Sequence, residues 1–274
     1  MFTLNCKGKL LVLDSPVVMG IINATPDSFY KGNINEDIIA LAAGMLADGA
    51  TILDIGGQST RPGSERITEA EELQRVLPVI EAVHTKFPDA IISVDTYSSK
   101  VAAAAVQAGA GIVNDISAGA MDAQMLSTVA GLGVPYVCMH MQGTPGSMQD
   151  EPQYTDVAKE VLDFFIAKVS DCKAAGIKDI IIDPGFGFGK TIAHNFSLLK
   201  KLEVLQTLGK PVLAGVSRKS TIYKTLHTTA ANALNGTTVL NTMALMNGAL
   251  LLRVHDVKEA QEAITLFKAY KKAP

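Results

Sequence analysis

Short apolar runs rich in β-branched residues alternate with longer stretches of helical periodicity from one end of the chain to the other. The strand-like runs are residues 17–22, 52–55, 91–94, 112–113, 136–139, 180–182, 212–214 and 250–254. Several are apolar throughout instead of alternating, the pattern of a parallel strand buried on both faces. Between them, amphipathic helices are predicted near 36–48, 68–86, 98–108, 122–132, 156–175, 195–208, 232–247 and 257–271. Eight strands and eight helices in strict alternation within 274 residues predict a single (β/α)8 TIM barrel, an α/β architecture that takes about 250 residues. A doubly wound open sheet is the alternative with the same alternation. Residues 1–14 have the pattern of a short N-terminal β-hairpin capping the barrel. No linker or composition break divides the chain, so one domain over 1–274 is expected.

Composition narrows the class of function. Apolar residues make up 48%, enough for a large core, and the formal net charge is -3. That balance offers no electrostatic footprint for nucleic acid or an acidic membrane surface. Three scattered cysteines, Cys6, Cys138 and Cys172, form neither a disulfide framework nor a zinc motif. With no signal-peptide pattern and no apolar run long enough to span a bilayer, a soluble cytoplasmic protein is expected.

The informative polar residues stand where the strands end. Asn23 closes the first run, Asp54 through Gly63 the second, Asp95 the third and Asn114-Asp115 the fourth. Met139-His140, Asp183-Pro184-Gly185, Ser217-Arg218-Lys219 and Arg253-Val254-His255 close the rest. In a barrel these positions converge on one face, where active sites are built. One such residue is readily explained as a helix cap; eight strands ending this way point to a site.

The segment Asp183-Pro-Gly-Phe-Gly-Phe-Gly-Lys190-Thr191 resembles a P-loop. It has Pro184 where that loop needs a glycine, however, and its glycines miss the dinucleotide spacing. A tight loop that admits a flat ligand toward Asp183 is the better expectation. Arg253 and His255 are two apart and so face one side of an extended strand, an arrangement suited to phosphate oxygens. A rim salt bridge of Arg253 with Asp256 is the bland alternative. His84, His194 and His227 read as surface residues, and His140 as either core or site. Nothing clusters like a zinc or iron site, whereas a loosely held magnesium bridging an amide oxygen and diphosphate fits.

Taken in order, NATPDSF, GGQSTRPGS, SVDTY, ND, HMQGTPGSMQ, DPGFGFGK, GVSRKS and RVHD resemble the motif series of the dihydropteroate synthase family, from Gly20 to His255. The resemblance implies a barrel, usually homodimeric, and a sulfonamide-sensitive transferase. Its reaction condenses 6-hydroxymethyl-7,8-dihydropterin diphosphate with p-aminobenzoate, giving 7,8-dihydropteroate and diphosphate for folate synthesis. It assigns Asn23 to Mg2+ and diphosphate, and Arg253 and His255 to the same diphosphate. Asp95, Asn114, Asp183 and Lys219 are implied to hold the pterin, with Met139 and Gly215 lining its pocket. Thr60, Arg61, Pro62, Phe188 and Ser217 fall on the p-aminobenzoate side, with Phe29 in the first loop nearby. Loops 25–35 and 59–67 are expected to close over the substrates. The chain carries Lys31 where members commonly have an acidic residue, and Gln58 where Glu is frequent. A pterin-binding methyltransferase domain and a pterin-binding protein without turnover are the competing readings.

Overall fold

The computed structural model describes residues 1–24, 34–58, 66–144, 148 and 152–274. Two antiparallel strands open the chain, β1 (Phe2–Cys6) and β2 (Lys9–Leu13), with Phe2 opposite Leu13 and Cys6 opposite Lys9. The two residues between them, Lys7 (φ 53°) and Gly8 (φ 90°), both take left-handed backbone, as a two-residue hairpin turn requires. The Lys7 ammonium donates to the Val106 carbonyl, and Lys9 donates to Ala90 O at 2.8 Å, so the hairpin is stitched to the barrel by its own turn.

Parallel strands and helices follow in alternation. The first four pairs are β3 (Val17–Asn23) and α1 (Ile34–Ala47), β4 (Ile52–Gly56) and α2 (Glu69–Lys86), β5 (Ile91–Asp95) and α3 (Ser99–Ala108), β6 (Ile112–Asp115) and α4 (Met125–Leu132). Then come β7 (Tyr136–Met139) with α5 (Val157–Ala175) and β8 (Ile180–Asp183) with α6 (Ile192–Lys200). The last units are β9 (Leu213–Ala214) with α7 (Ser220–Thr225) and α8 (Leu234–Met246), and β10 (Leu251–Val254) with α9 (Val257–Lys272). The strands lie in the order β8-β7-β6-β5-β4-β3-β10-β9. A bridge between Ile182 and Val212, with Ile182 N–H donating to Pro211 O at 3.0 Å, joins the two ends. The sheet is therefore a closed barrel, and the open-sheet alternative falls. No helix among the described residues is long and apolar enough to cross a membrane.

Successive side chains of a strand point to opposite faces, and both phases are used. Outward residues such as Leu53, Ile55, Val94, Tyr136, Ile182 and Val254 pack under the helices in the main core. The first inward layer is Met19, Ile52, Ile112, Val137, Ile181, Leu213 and Leu251, and Leu4, Cys6, Leu11 and Leu13 of the hairpin close it from below. Fully burying one such aliphatic side chain contributes about 1.5–3 kcal/mol. Two positions further along the same strands stand Asp54, Asn114, Met139, Asp183, Gly215 and Arg253, and they form the site.

Three elements differ from the sequence expectation. The helix expected over 195–208 breaks at Lys201 (φ -103°, ψ 15°) into α6 and a 3-10 segment, Leu202–Leu208, whose i,i+3 period keeps Leu202 and Leu205 buried. The short helix α7 was not anticipated. The α4 helix starts at Met125, because Asp122 is spent on the backbone N–H groups of Ser99 and Gln124. Two histidines are less superficial than their sequence context implies. His84 is half-buried over Gly109, and His194 completes a capping box with Thr191 while meeting the Tyr154 ring edge-on at 5.0 Å. His227 is exposed.

Candidate active site

At the carboxyl ends of the strands the inward residues are Asp54 on β4, Asp95 on β5, Asn114 on β6, Met139 on β7, Asp183 on β8, Gly215 after β9 and Arg253 on β10. Arg253 is the hub. Its Nε donates to Asp54 Oδ2 and its terminal nitrogen to Asp95 Oδ2, both at 2.6 Å. Asn114 Nδ2 donates to the same Asp54 oxygen at 3.0 Å, while Asp54 Oδ1 is buried without a hydrogen-bond partner among the described residues. The rim pair of Arg253 with Asp256 is not formed. Asp256 instead holds Arg218 in a two-point ion pair at 2.7 and 2.8 Å.

Burial outweighs the attraction of Arg253 at Asp95 and, with Asp54, Glu72 and Asp115 adding repulsion, pushes its carboxyl up to about 7. Arg253 is itself held above its ordinary value by Asp54 and Asp95, which overcome its own burial.

Asp183 lies on the opposite side of the mouth. It is buried, its Oδ1 accepts from Gly185 N–H at 2.8 Å, and burial raises its pKa against the opposing pull of Lys219, Arg253 and Lys190. The Lys219 ammonium donates to Phe186 O and stands 4.7 Å over the Phe188 ring. Burial lowers Lys219 to about 8, with Asp183 resisting. Gly215 keeps the space between these groups open: a Cβ there would touch Lys219 Nζ, Asp183 Oδ2 and Arg253 Cβ at 3.8–4.0 Å. Next to this polar floor, Ile116, Met139, Met148 and Phe188 form a separate apolar cluster, with Tyr97 and Met141 against it. A flat, polar-edged ring fits between such a wall and a carboxylate–ammonium pair.

Ser217 and His255 form one unit: Ser217 Oγ lies 2.9 Å from His255 Nδ1 and accepts the His255 backbone N–H at 3.2 Å. Asn23, at the end of β3, is exposed in the mouth. Phe29, Lys31, Thr60, Arg61 and Pro62 lie outside the described residues. The second loop re-enters the described structure at Arg66, which stacks over Tyr97, and at Ile67, whose N–H donates to Gln58 Oε1 at 3.0 Å.

Two members of this constellation were given no role from sequence. Asp54 sits inside an otherwise apolar strand, at the inward phase, and that signal was available. Lys190 was weighed only as part of a failed P-loop and carried no other signal. The glycine loop is tight as expected, but neighbouring backbone is what demands it. Gly185 (φ +68°) and Gly189 (φ +60°) press against the carbonyls of His140 and Gln142, where any Cβ would collide. His140 is buried, and its Nδ1 lies 2.9 Å from Lys190 Nζ.

Comparisons with known proteins agree with this geometry. A family model described as pterin binding enzyme matches residues 19–255. Dihydropteroate synthase from Escherichia coli K12 is 43% identical over 96% of this chain and 94% of its own length. Among solved structures, Xanthomonas albilineans dihydropteroate synthase with 4-aminobenzoic acid is 43% identical with a TM-score of 0.93, covering 99% of both chains. The same organism's enzyme in complex with 7,8-dihydropteroate is 41% identical with a TM-score of 0.90, covering 100% of both. With the family model covering most of its length and relatives matched nearly end to end, the chain belongs to the pterin-binding enzymes, among the dihydropteroate synthases.

Proposed function

We propose that this chain joins 6-hydroxymethyl-7,8-dihydropterin diphosphate to p-aminobenzoate, releasing diphosphate and forming 7,8-dihydropteroate for folate synthesis. The observation that carries this reading is the pairing, across one barrel mouth, of the Asp183–Lys219 floor beside the Met139–Phe188 wall with the Arg253–Asp54–Asp95 hub. Ionised Asp183 accepts hydrogen bonds from a ring N–H and the adjacent amine of the pterin, and Lys219 donates to its carbonyl edge. Asn114 and Asp95 hold the far edge, and Met139 and Phe188 cover the ring faces.

The bond that breaks joins the pterin methylene carbon to a diphosphate oxygen. The bond that forms joins that carbon to the arylamine nitrogen, which loses a proton. No nucleophilic side chain is required. Arg253 keeps one edge of its guanidinium on Asp54 and Asp95 and offers the rest to the leaving diphosphate, with His255 beside it. Its two carboxylates lie near the carbon where positive charge develops as diphosphate leaves. Asn23 presents a hard amide oxygen at the mouth and would hold a magnesium ion, which would supply charge neutralisation at the leaving diphosphate. Ser217, fixed by His255, and Phe188 border the p-aminobenzoate side, with Thr60, Arg61, Pro62 and Phe29 assigned to it by motif.

The whole chain serves this one site, and the working unit in this reading is a homodimer. An exposed apolar row on α6 and α8, formed by Ile192, Phe196, Val239, Met243 and Met246, supports that reading. Cys6, Cys138 and Cys172 are buried free thiols, which suits a reducing, cytoplasmic setting. Diphosphate release measured with and without p-aminobenzoate tests the proposal. Release that depends on the arylamine and matches dihydropteroate formed supports it; no release from the pterin diphosphate under either condition overturns it.

A further inference from the structure

Lys190 is 3% exposed, and among the described residues no carboxylate lies within ion-pair distance of its ammonium. Its contacts are instead neutral: it donates to the carbonyls of Gly185 and Phe188 at 3.0 Å each and lies 2.9 Å from His140 Nδ1. Burial lowers this ammonium to about 7 against the pull of Asp183, so below neutrality it is charged and offers three donors radiating from one point. Those donors tie the turn after β8 to the end of β7.

The turn needs them because its backbone is irregular and buried, so its carbonyls have neither ladder nor water. Three further carbonyls are met by other side chains. Phe186 O accepts from Lys219, Gly189 O from Tyr154 at 2.9 Å, and Lys190 O from Asn195 at 3.2 Å, while Asn195 Oδ1 accepts the Gly187 N–H at 2.7 Å. Lys219 is thus held by the turn at two points, the Phe186 carbonyl and the Phe188 ring. Any loosening of residues 185–188 moves the ammonium that faces Asp183.

We propose that Lys190 is a positioning residue of the pterin site, pinning the Gly185–Phe188 turn against β7 and thereby placing Lys219 and the Phe188 ring. This rests on the reading of Asp183, Lys219 and Phe188 as pterin-holding groups. The same cation also acts through space. Asp183 is faced by Lys219, Arg253 and Lys190, all favouring its ionised form, against a burial that disfavours it. His140 is pushed down to about 3 by burial and by Lys190, so its ring is neutral and Nδ1 is free to accept.

The test is calorimetric titration of pterin diphosphate, with magnesium present, into wild-type protein, Lys190→Met and Asn195→Ala across pH. Lys190→Met is expected to bind about tenfold more weakly. The acid limb of its binding profile is expected at higher pH than in wild type, because Asp183 loses a neighbouring cation. Asn195→Ala loosens the same turn while keeping the Lys190 charge, so it should bind more weakly, with its acid limb moved less than in Lys190→Met. A folded Lys190→Met variant with wild-type affinity, or one whose acid limb does not move, overturns the proposal. Should Lys190→Met not fold, unchanged affinity in Asn195→Ala overturns it instead, and weakened affinity sustains it. Wild-type protein that fails to bind pterin diphosphate ends the functional reading and this inference together; normal wild-type binding with unaffected variants ends this inference alone.

Discussion

The two ends of the barrel are built from the same strands, two residues apart, and they do opposite things. At the lower end Ile52, Ile112, Ile181, Leu213 and Leu251 meet Leu4, Leu11 and Leu13 of the hairpin in a dry, apolar plug. At the upper end the same strands present Asp54, Asn114, Asp183, Gly215 and Arg253, and burial shifts the titration of Asp183, Asp95 and Lys219 away from their ordinary ranges. The lower end gains free energy from every side chain it hides. The upper end gives some up by desolvating charges that a polar ligand is suited to satisfy. Stability and ligand binding are therefore separable by mutation.

The largest effect is expected at the plug. Leu13 is 1% exposed, and Leu13→Ala should lower unfolding free energy by about 2–5 kcal/mol, measured by urea denaturation, with pterin affinity unchanged. The converse is Asp183→Asn. An amide cannot accept two ligand donors across one face, so pterin affinity should fall about 5- to 150-fold, the equivalent of roughly 1–3 kcal/mol. Its melting temperature should not fall, because removing a carboxylate whose pKa burial raises relieves a cost at neutral pH. Equal losses of stability in both variants would break the comparison.

Next in size is pH. Binding needs Asp183 ionised and Lys219 protonated. Affinity should fall on the acid side at a pH above the ordinary Asp range, and on the alkaline side above about 8. Each limb should approach about tenfold per pH unit, and Lys219→Arg should push the alkaline limb outward. The smallest effect is selective. Arg253→Lys keeps charge but loses the planar fork, so it should weaken the pterin diphosphate by about 1 kcal/mol more than a pterin lacking diphosphate. Equal weakening of the two ligands, seen by calorimetry, would assign Arg253 to the ring.

The barrel was legible because buried parallel strands are apolar on both phases, and the residues that close them are polar. The hairpin was legible for a related reason, its alternation around Lys7-Gly8. Other features depend on tertiary contacts that leave no periodic mark. The break at Lys201 and the short α7 helix are of this kind, as is the capture of Asp122 by Ser99. In the site, motif resemblance supplied the residues and their order. It did not supply the pairing of Arg253 with Asp54 and Asp95, which needs three strands brought together. Nor could it give Lys190 its partners, because a lysine's neighbours 50 residues away are set by the fold alone.

The separation of the two ends is tested most directly by kcat/KM for pterin diphosphate, read from diphosphate release in Leu13→Ala and Asp183→Asn, at a temperature where both are folded. The account predicts wild-type kcat/KM per folded molecule for Leu13→Ala and a loss of at least about fivefold for Asp183→Asn. Wild-type turnover in a folded Asp183→Asn variant, or a comparable loss in Leu13→Ala, would contradict it.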